Sequence, residues 1–86
     1  MFFVYILKSL KSGRFYIGHT KDLARRLGEH NSGIVRSTKA YKPWRIVYTE
    51  EFVNREDAFK REVEIKTYKS GEAFKNLIKS EGWQSG

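Results

Sequence analysis

The sequence predicts an α+β fold, a three-stranded antiparallel sheet packed with helices in two layers, in the order β-β-α-β-α-α. Two aromatic and β-branched segments flank a glycine-containing turn near the beginning, which is typical of a hairpin. A third such segment follows Pro43, and helical periodicity is present before and after it. With 86 residues, of which 40% are hydrophobic and 15% aromatic, we expect one domain over residues 1–86.

Local residue chemistry sets the expected boundaries of these elements. Thr20 and Asn54 are expected to cap the first two helices, because their side-chain oxygens can accept hydrogen bonds from free backbone N–H groups. Turn-forming residues at 31–33 and 70–71 end those helices. The predicted elements are strands at 2–8, 14–20 and 44–52, helices ending near residues 30, 69 and 80, and a polar, basic surface loop at 34–42.

Composition and motifs exclude several classes of protein. The chain has no cysteine, which rules out disulfides and thiolate zinc sites. It also lacks the glycine-rich phosphate loop, the dinucleotide-binding motif and the serine nucleophile elbow. No segment resembles a membrane span, and the apolar first residues lack the basic start of a secretory signal, so we expect a cytoplasmic protein.

Positive charge is concentrated in the first part of the chain. The net charge is +7, and residues 1–49 hold ten lysines and arginines against only Asp22 and Glu29. Residues 50–86 hold seven basic and eight acidic residues. A polyanionic partner such as nucleic acid suits this distribution, although a basic surface also serves solubility.

Two tyrosines occupy the predicted hairpin at positions of opposite parity, Tyr5 and Tyr16. In a hairpin with an even-length loop, such positions share one face of the sheet, either directly opposite or diagonal. A cross-strand pair of this kind is most often part of a hydrophobic core, and it can also form a functional pair.

The first predicted helix carries two unusual side chains beside its apolar stripe. At about 100° per residue, Arg26 and His30 fall on the side of Leu23 and Leu27. A guanidinium there can hold a phosphate with paired hydrogen bonds, and an imidazole can move a proton. The structural alternative is that both side chains extend from the edge of the core towards solvent.

The second predicted helix places a carboxylate within its apolar arc. Viewed down the helix axis, Glu62 lies between Ala58 and Phe59. A charged group in this apolar arc needs a partner. Lys66, one turn further on, can form a salt bridge with it. Alternatively, Glu62 can be the single carboxylate ligand of a Mg²⁺ ion.

These residues resemble the GIY-YIG nuclease family. Val4-Tyr5-Ile6 and Tyr16-Ile17-Gly18 are similar to its two strand motifs, although valine replaces the first glycine. The helix that follows is similar to the one whose arginine corresponds to Arg26, and His30 matches a position where the family has histidine or tyrosine. The segment 58–66 resembles the one that carries the metal-binding glutamate, here Glu62. The chain looks most like small stand-alone bacterial members, which resemble the nuclease domain of the excinuclease ABC system.

The resemblance implies an endonuclease that hydrolyses DNA with one Mg²⁺ or Mn²⁺ ion held by Glu62, in repair or recombination. Arg26 is expected to clamp a phosphate oxygen, and one of the two tyrosines to accept the proton of the attacking water, with His30 nearby. A phenol ordinarily has a pKa of about 10, so this role needs neighbouring positive charge. The residues expected to contact the nucleic acid, which is DNA or alternatively RNA, are His19, Asn31 and Lys66.

Two other functions are compatible with the sequence. The first is a module of the same fold that binds nucleic acid without cleaving it. The second is a protein-interaction adaptor that uses the aromatic surface, and it predicts no affinity for nucleic acid at moderate salt. The presence of Tyr5, Tyr16, Arg26, His30 and Glu62 together favours the nuclease.

Overall fold

A three-stranded antiparallel sheet organises the fold, with the first strand in its centre. The computed structural model describes residues 1–69 and 71–79. Its strands are paired in the order β2-β1-β3, as expected for an α+β fold with the elements in the order β-β-α-β-α-α. The elements are β1 (Phe2–Ser9), β2 (Phe15–Thr20), α1 (Leu23–Ser32), a 3-10 helix (Lys39–Tyr41), β3 (Trp44–Phe52), α2 (Arg55–Lys66) and α3 (Glu72–Lys79).

Helices cover both faces of the sheet, so the fold has three layers with the sheet in the middle. The sequence analysis predicted two layers. Val4 and Ile6 of β1 face the core formed with α2 and α3, whereas Tyr5 and Leu7 face the opposite core, which α1 covers. All four side chains are at most 2% exposed, which is the pattern of a strand buried on both faces.

The hairpin register confirms the parity argument for the two tyrosines. Tyr5 lies opposite Gly18, and Leu7 lies opposite Tyr16, so the tyrosines are diagonal neighbours on one face. The turn contains an even number of residues between the paired positions Lys8 and Phe15. The side chains of Tyr5 and Tyr16 therefore both point towards α1.

The first helix begins later and ends later than the sequence predicted. Thr20 is not its cap, because β2 pairing holds Thr20 opposite Phe3 as the last residue of the strand. Asp22 is the cap instead, and its carboxylate accepts a hydrogen bond from the backbone of Arg25 at 3.0 Å. The helix continues through Ser32 and ends at Gly33, whose φ of 87° is the left-handed conformation that glycine adopts readily.

The second helix has the predicted beginning and an earlier end. The Asn54 side chain accepts a hydrogen bond from the Asp57 backbone at 2.9 Å, which confirms the predicted cap. The helix ends at Lys66 rather than near Lys69, because the chain tightens into a turn and Lys69 takes a positive φ of 50°. The third helix ends at Lys79; residues 70 and 80, which belong to the predicted breaker and helix end, lie outside the described residues.

The segment predicted as an irregular loop contains local structure. Residues 39–41 form the 3-10 helix, and the backbone N–H groups of Thr38 and Lys39 both donate to the carbonyl of Val35. Across the described ranges 1–69 and 71–79, no helix has the length and apolarity needed to span a membrane.

Candidate active site

The face of the sheet beneath α1 holds a cluster of Tyr5, Tyr16, Arg26 and His30, here called the tyrosine cluster. The Tyr5 hydroxyl lies 3.1 Å from Nε2 of His30 and accepts a hydrogen bond from Nε of Arg26 at 3.4 Å. The Tyr16 ring centre lies 6.3 Å from that of Tyr5 and 4.8 Å from that of His30. The four side chains that the parity and helical-wheel arguments selected thus meet in one place.

Gly18 is the reason that the Tyr5 ring can cross the edge strand. A methyl group built on Gly18 would lie 2.6 Å from the Tyr5 hydroxyl oxygen and 3.2 Å from a ring carbon of Tyr16. The first distance is too short for a non-bonded contact of a methyl group, and the second is tighter than most such contacts. The last residue of the Tyr16-Ile17-Gly18 motif is therefore glycine because two tyrosine rings occupy the space in which its side chain would lie.

His30 is fully buried and bonded through both ring nitrogens. Besides the contact with Tyr5, its Nδ1 lies 2.8 Å from the Thr38 hydroxyl. Burial and the positive charge of Arg26 hold the pKa of His30 below its ordinary value. His30 is therefore a neutral link between Tyr5 and the loop before β3, and it does not extend towards solvent.

Arg26 joins the tyrosine cluster to the surface. Its Nη1 donates to Oε1 of Glu29 at 2.7 Å, and its side chain is one-third exposed. The hydrogen bonds to Glu29 and Tyr5 raise the pKa of Arg26, so the guanidinium stays charged. A guanidinium has five N–H donors. Because only two are used within the described part of the chain, Arg26 can bind an anion from solvent.

Tyr5 is a protonated phenol in this environment. Burial raises its pKa to about 12, the hydrogen bond and charge of Arg26 act against that rise, and the charges of Tyr16 and Glu62 add to it. Tyr16 differs from Tyr5 because its ring is only half-buried. Within residues 1–69 and 71–79, the Tyr16 hydroxyl has no hydrogen-bond partner. The two tyrosines thus occupy chemically different positions.

The opposite face of the sheet holds the second group, His19, Glu62 and Lys66, here called the glutamate cluster. Glu62 is 8% exposed, and its two oxygens lie 2.5 Å from Nδ1 of His19 and 2.6 Å from Nζ of Lys66. The salt bridge with Lys66 that the sequence offered as an alternative is therefore formed. His19 provides a further partner from β2, which satisfies a carboxylate that would be costly to bury alone.

Both clusters include residues of β2, which is one of the two edge strands of the sheet. Tyr16 and Gly18 face α1, and His19, adjacent to Gly18, faces α2 because it pairs with Val4. Strand β2 therefore contributes a predicted site residue to each of the two clusters, Tyr16 to one and His19 to the other.

Asn31, which the sequence analysis assigned to nucleic-acid contact, binds the backbone of Trp44. Its amide nitrogen donates to the Trp44 carbonyl at 3.0 Å, and its amide oxygen accepts from the Trp44 N–H at 2.5 Å. Asn31 therefore fixes the beginning of β3 against the end of α1.

Sequence reasoning did not identify two residues that support the tyrosine cluster. Glu29 holds Arg26, and its spacing of three residues on the same helix is a signal that could have found it. Thr38 holds His30 from the segment 34–42, where the absence of periodicity gave no indication of its contact. The contact between Thr38 and His30 depends on tertiary structure.

The fold and the two clusters define a small α+β domain with paired tyrosines, an anion-accessible arginine and a buried glutamate around an edge strand. The model of the GIY-YIG catalytic domain matches residues 1–76. The chain therefore belongs to the GIY-YIG family.

Within that family, the chain stands with the UPF0213 proteins. Those of Staphylococcus saprophyticus and Staphylococcus epidermidis are 42% and 43% identical over 67 residues, which cover 77% of this chain and 80% of each relative. The solution NMR structure of a UPF0213 protein from Bacillus halodurans has 36% identity and a TM-score of 0.59, covering 95% of this chain and 87% of that one.

Replacement of Gly18 by alanine is predicted to disrupt the tyrosine cluster. The added methyl must displace the Tyr5 or Tyr16 ring, and overpacking of this kind costs about 1–3 kcal/mol in the free energy of unfolding. Urea denaturation measures this loss. The control is Gly28→Ala on the open side of α1, where no atom lies within 4 Å and alanine is expected to stabilise by about 0.5–1 kcal/mol. Equal stability of the two variants would contradict the packing described here.

Stability is predicted to fall as the pH decreases through the ordinary pKa of histidine, about 6.5. The folded state keeps His30 neutral, whereas the unfolded chain takes up a proton on it, so acid favours unfolding. Urea denaturation at pH 7.5 and 5.5 is expected to show this loss, and His30→Gln to reduce it. A His30 ring resonance that titrates at or above pH 6.5 in NMR would exclude this origin.

Proposed function

We propose that the chain is a cytoplasmic, divalent-metal-dependent endonuclease that hydrolyses phosphodiester bonds in DNA during repair or recombination. The observation that carries the proposal is that edge strand β2 contributes a residue to each cluster: Tyr16 packs against Tyr5 and His30, and His19 is bonded to the buried carboxylate of Glu62. Family membership and the basic first part of the chain support a nucleic-acid substrate.

Arg26 is the residue proposed to bind the scissile phosphate. Its charge is maintained by Glu29 and Tyr5, and its remaining N–H donors can form paired hydrogen bonds with non-bridging oxygens. Negative charge builds on those oxygens as water attacks phosphorus. A donor that is already held in place stabilises that charge without reorganisation, which is how such groups accelerate a reaction.

The two tyrosines are proposed to have different roles. Tyr5 is buried, protonated and bonded to Arg26 and His30, which suits a residue that positions its neighbours. Tyr16 is half-buried with a hydroxyl that can meet solvent, so we assign the contact with the attacking water to it. The water oxygen forms the new bond to phosphorus and the bond to the 3′ oxygen breaks. The Tyr16 oxygen accepts the water proton as its own proton passes to solvent, and the leaving 3′ oxygen takes a proton from solvent.

The residues around Glu62 fit a divalent ion that takes a single carboxylate ligand from the protein. The described ranges contain no group of three or more histidine, cysteine or acidic side chains able to hold a metal. Mg²⁺, however, is commonly bound by one or two carboxylates, with waters and substrate phosphates completing its shell. Glu62 provides one such carboxylate, and Lys66, whose side chain is 53% exposed, can leave it without breaking the core. When bound there, the ion would neutralise charge on the phosphate and the leaving oxygen.

Lys66 and His19 are proposed to contact the phosphate backbone once Glu62 binds the ion. Both are now paired with Glu62, and both would then have N–H donors directed to the edge of β2. We assign Asn31 a structural role, because its amide is already bonded to Trp44 on both sides.

Metal-dependent cleavage is predicted to require Arg26 and Glu62. Arg26→Ala is expected to lower the cleavage rate by about 100-fold or more, as removal of one transition-state donor does in other enzymes. Glu62→Gln, which removes the charge of the proposed metal ligand, is expected to lower the rate as well. The assay uses Mg²⁺ or Mn²⁺ and a panel of duplex, flap, junction and single-stranded DNA with matched RNA. Arg25→Ala is the control, since Arg25 is the adjacent residue on α1, has a 69% exposed side chain and lies outside the cluster.

Two outcomes would contradict the nuclease. One is an Arg26→Ala variant as active as the wild type. The other is salt-sensitive binding of the panel without cleavage under any divalent metal, which would identify the chain as a binding module. Absence of both binding and cleavage at moderate salt would instead favour the protein-interaction adaptor.

Lys66→Met is predicted to increase the affinity of the chain for Mn²⁺. Lys66 competes with a metal ion for the same Glu62 oxygen, at 2.6 Å, and ion pairs with an exposed partner contribute up to about 1 kcal/mol. The expected gain is therefore up to roughly five-fold, measured by electron paramagnetic resonance without nucleic acid. Lys60→Met on the same helix is the control, with unchanged affinity. Equal affinities of wild type and Lys66→Met would show that Lys66 does not occupy the metal position.

A further inference from the structure

A groove of about 490 Å³ lies beside the tyrosine cluster and shares only Tyr16 with it. Its walls are the β1–β2 turn and the segment before β3. The lining includes one basic and three aromatic side chains, namely Arg14, Tyr16, Tyr41 and Trp44. The volume is typical of sites that hold a small organic group.

Hydrogen bonds between the two walls form the groove in advance of any ligand. The Ser9 hydroxyl donates to the Tyr41 carbonyl at 2.5 Å, and the Leu10 N–H donates to the Pro43 carbonyl at 2.9 Å. The Trp44 indole donates to the Thr38 carbonyl at 2.9 Å, which fixes the deepest ring of the groove. A ligand therefore meets walls that need little reordering, which favours affinity.

The half-buried rings of Tyr16 and Tyr41 offer surfaces on which a planar group can stack. The Arg14 guanidinium lies 4.6 Å from the centre of the Tyr41 ring and extends this surface with a positive charge. Tyr16 and Trp44 meet edge to face, with ring centres 6.4 Å apart. Successive stacking surfaces next to a cation are the arrangement by which proteins hold unpaired nucleobases.

The charge of the two walls selects an anionic ligand. Residues 8–15 and 34–45 together hold seven lysines and arginines and no acidic residue. An uncharged aromatic metabolite gains nothing from this positive charge, whereas a nucleic-acid strand carries a phosphate with every base.

We propose that the groove binds an unpaired nucleobase of a single-stranded nucleic acid, with the adjacent phosphates along the basic walls. A base inside a duplex is stacked and paired, so only a single-stranded or displaced nucleotide can enter. Tyr16 belongs both to the groove and to the tyrosine cluster, which brings the strand next to the candidate active site. This inference refines the proposed function by naming the substrate class as nucleic acid with an unpaired nucleotide at the cleavage position.

Binding without divalent metal tests the groove separately from cleavage. Fluorescence anisotropy in EDTA compares a labelled ten-residue oligothymidylate with the same strand lacking its bases. The intact wild-type chain is expected to bind the strand with bases at least about ten-fold more tightly, because stacking of each base contributes strongly to affinity. Tyr41→Leu is expected to lose this preference, and Tyr41→Phe, which keeps the ring, to retain it.

A matched pair of arginines tests the charge. Arg14→Gln is expected to weaken binding several-fold, whereas Arg55→Gln is expected to leave it unchanged. Arg55 likewise lies over an aromatic ring, 5.4 Å from the centre of Phe2, but it is in α2 and away from the groove. Because Arg14 is exposed, its replacement tests the proposal even where Tyr41→Leu fails to fold.

The proposal is overturned when the wild type binds the strand without bases as tightly as the intact strand, or when Arg14→Gln matches Arg55→Gln. Oligouridylate in parallel distinguishes the two sources of such a strand, and base-dependent binding of either one supports the groove. Base-dependent binding with no cleavage counts against the nuclease alone. Cleavage of the panel with base-independent binding counts against the groove alone.

Discussion

The burial of β1 on both faces is the constraint on which the rest of the structure depends. Four consecutive side chains, residues 4–7, alternate between two cores and are almost fully inaccessible. A strand of this kind must be covered on each face, which places α1 on one side and α2 on the other. The chemistry carried by the two helices can then meet only around an edge of the sheet. β2 is that edge, and it is the strand that contributes Tyr16, Gly18 and His19.

The polar groups in the core beneath α1 form a continuous chain of contacts. Arg26 contacts Tyr5, Tyr5 contacts His30, His30 contacts Thr38, and the Thr38 carbonyl accepts from the Trp44 indole. No buried side-chain nitrogen or oxygen in the described ranges lacks a partner. A satisfied network of this kind fixes side-chain positions more firmly than apolar packing alone. It also connects the surface arginine to the wall of the aromatic groove, so the two sites share one rigid support.

The predictable part of the molecule is the part governed by local periodicity. Alternation along a hairpin with an even-length loop was enough to place Tyr5 and Tyr16 on one face. The helical wheel placed His30 beside the apolar stripe of α1, and the structure decides that the side chain is buried. The predicted cap of α1, Thr20, was wrong. Thr20 and Asp22 are both suitable caps, and only strand pairing decides between them. The layering was wrong although residues 4–7 form a continuous apolar run, which is itself the mark of a strand covered on both faces.

The contacts that sequence could not supply all cross between distant segments. Thr38 reaches His30 from a segment without periodicity, and Asn31 binds the backbone of Trp44. Neither contact has a signal in residue spacing, because each depends on how the segment 34–42 returns to the sheet. The same segment builds one wall of the aromatic groove, which therefore could not be anticipated either.

Glu62 shows why the two interpretations of a buried carboxylate need not exclude each other. A carboxylate that is 8% exposed needs positive charge beside it at all times, since removal of one partner leaves a buried charge uncompensated. His19 is half-buried in β2, whereas Lys66 has a largely exposed, flexible side chain one helical turn away. Lys66 can therefore hold the carboxylate in position in the free protein and withdraw when another cation arrives. On this view the salt bridge is the state of the proposed metal ligand in the free protein. The helical spacing of residues 62 and 66 is then compatible with both the salt bridge and the proposed metal site.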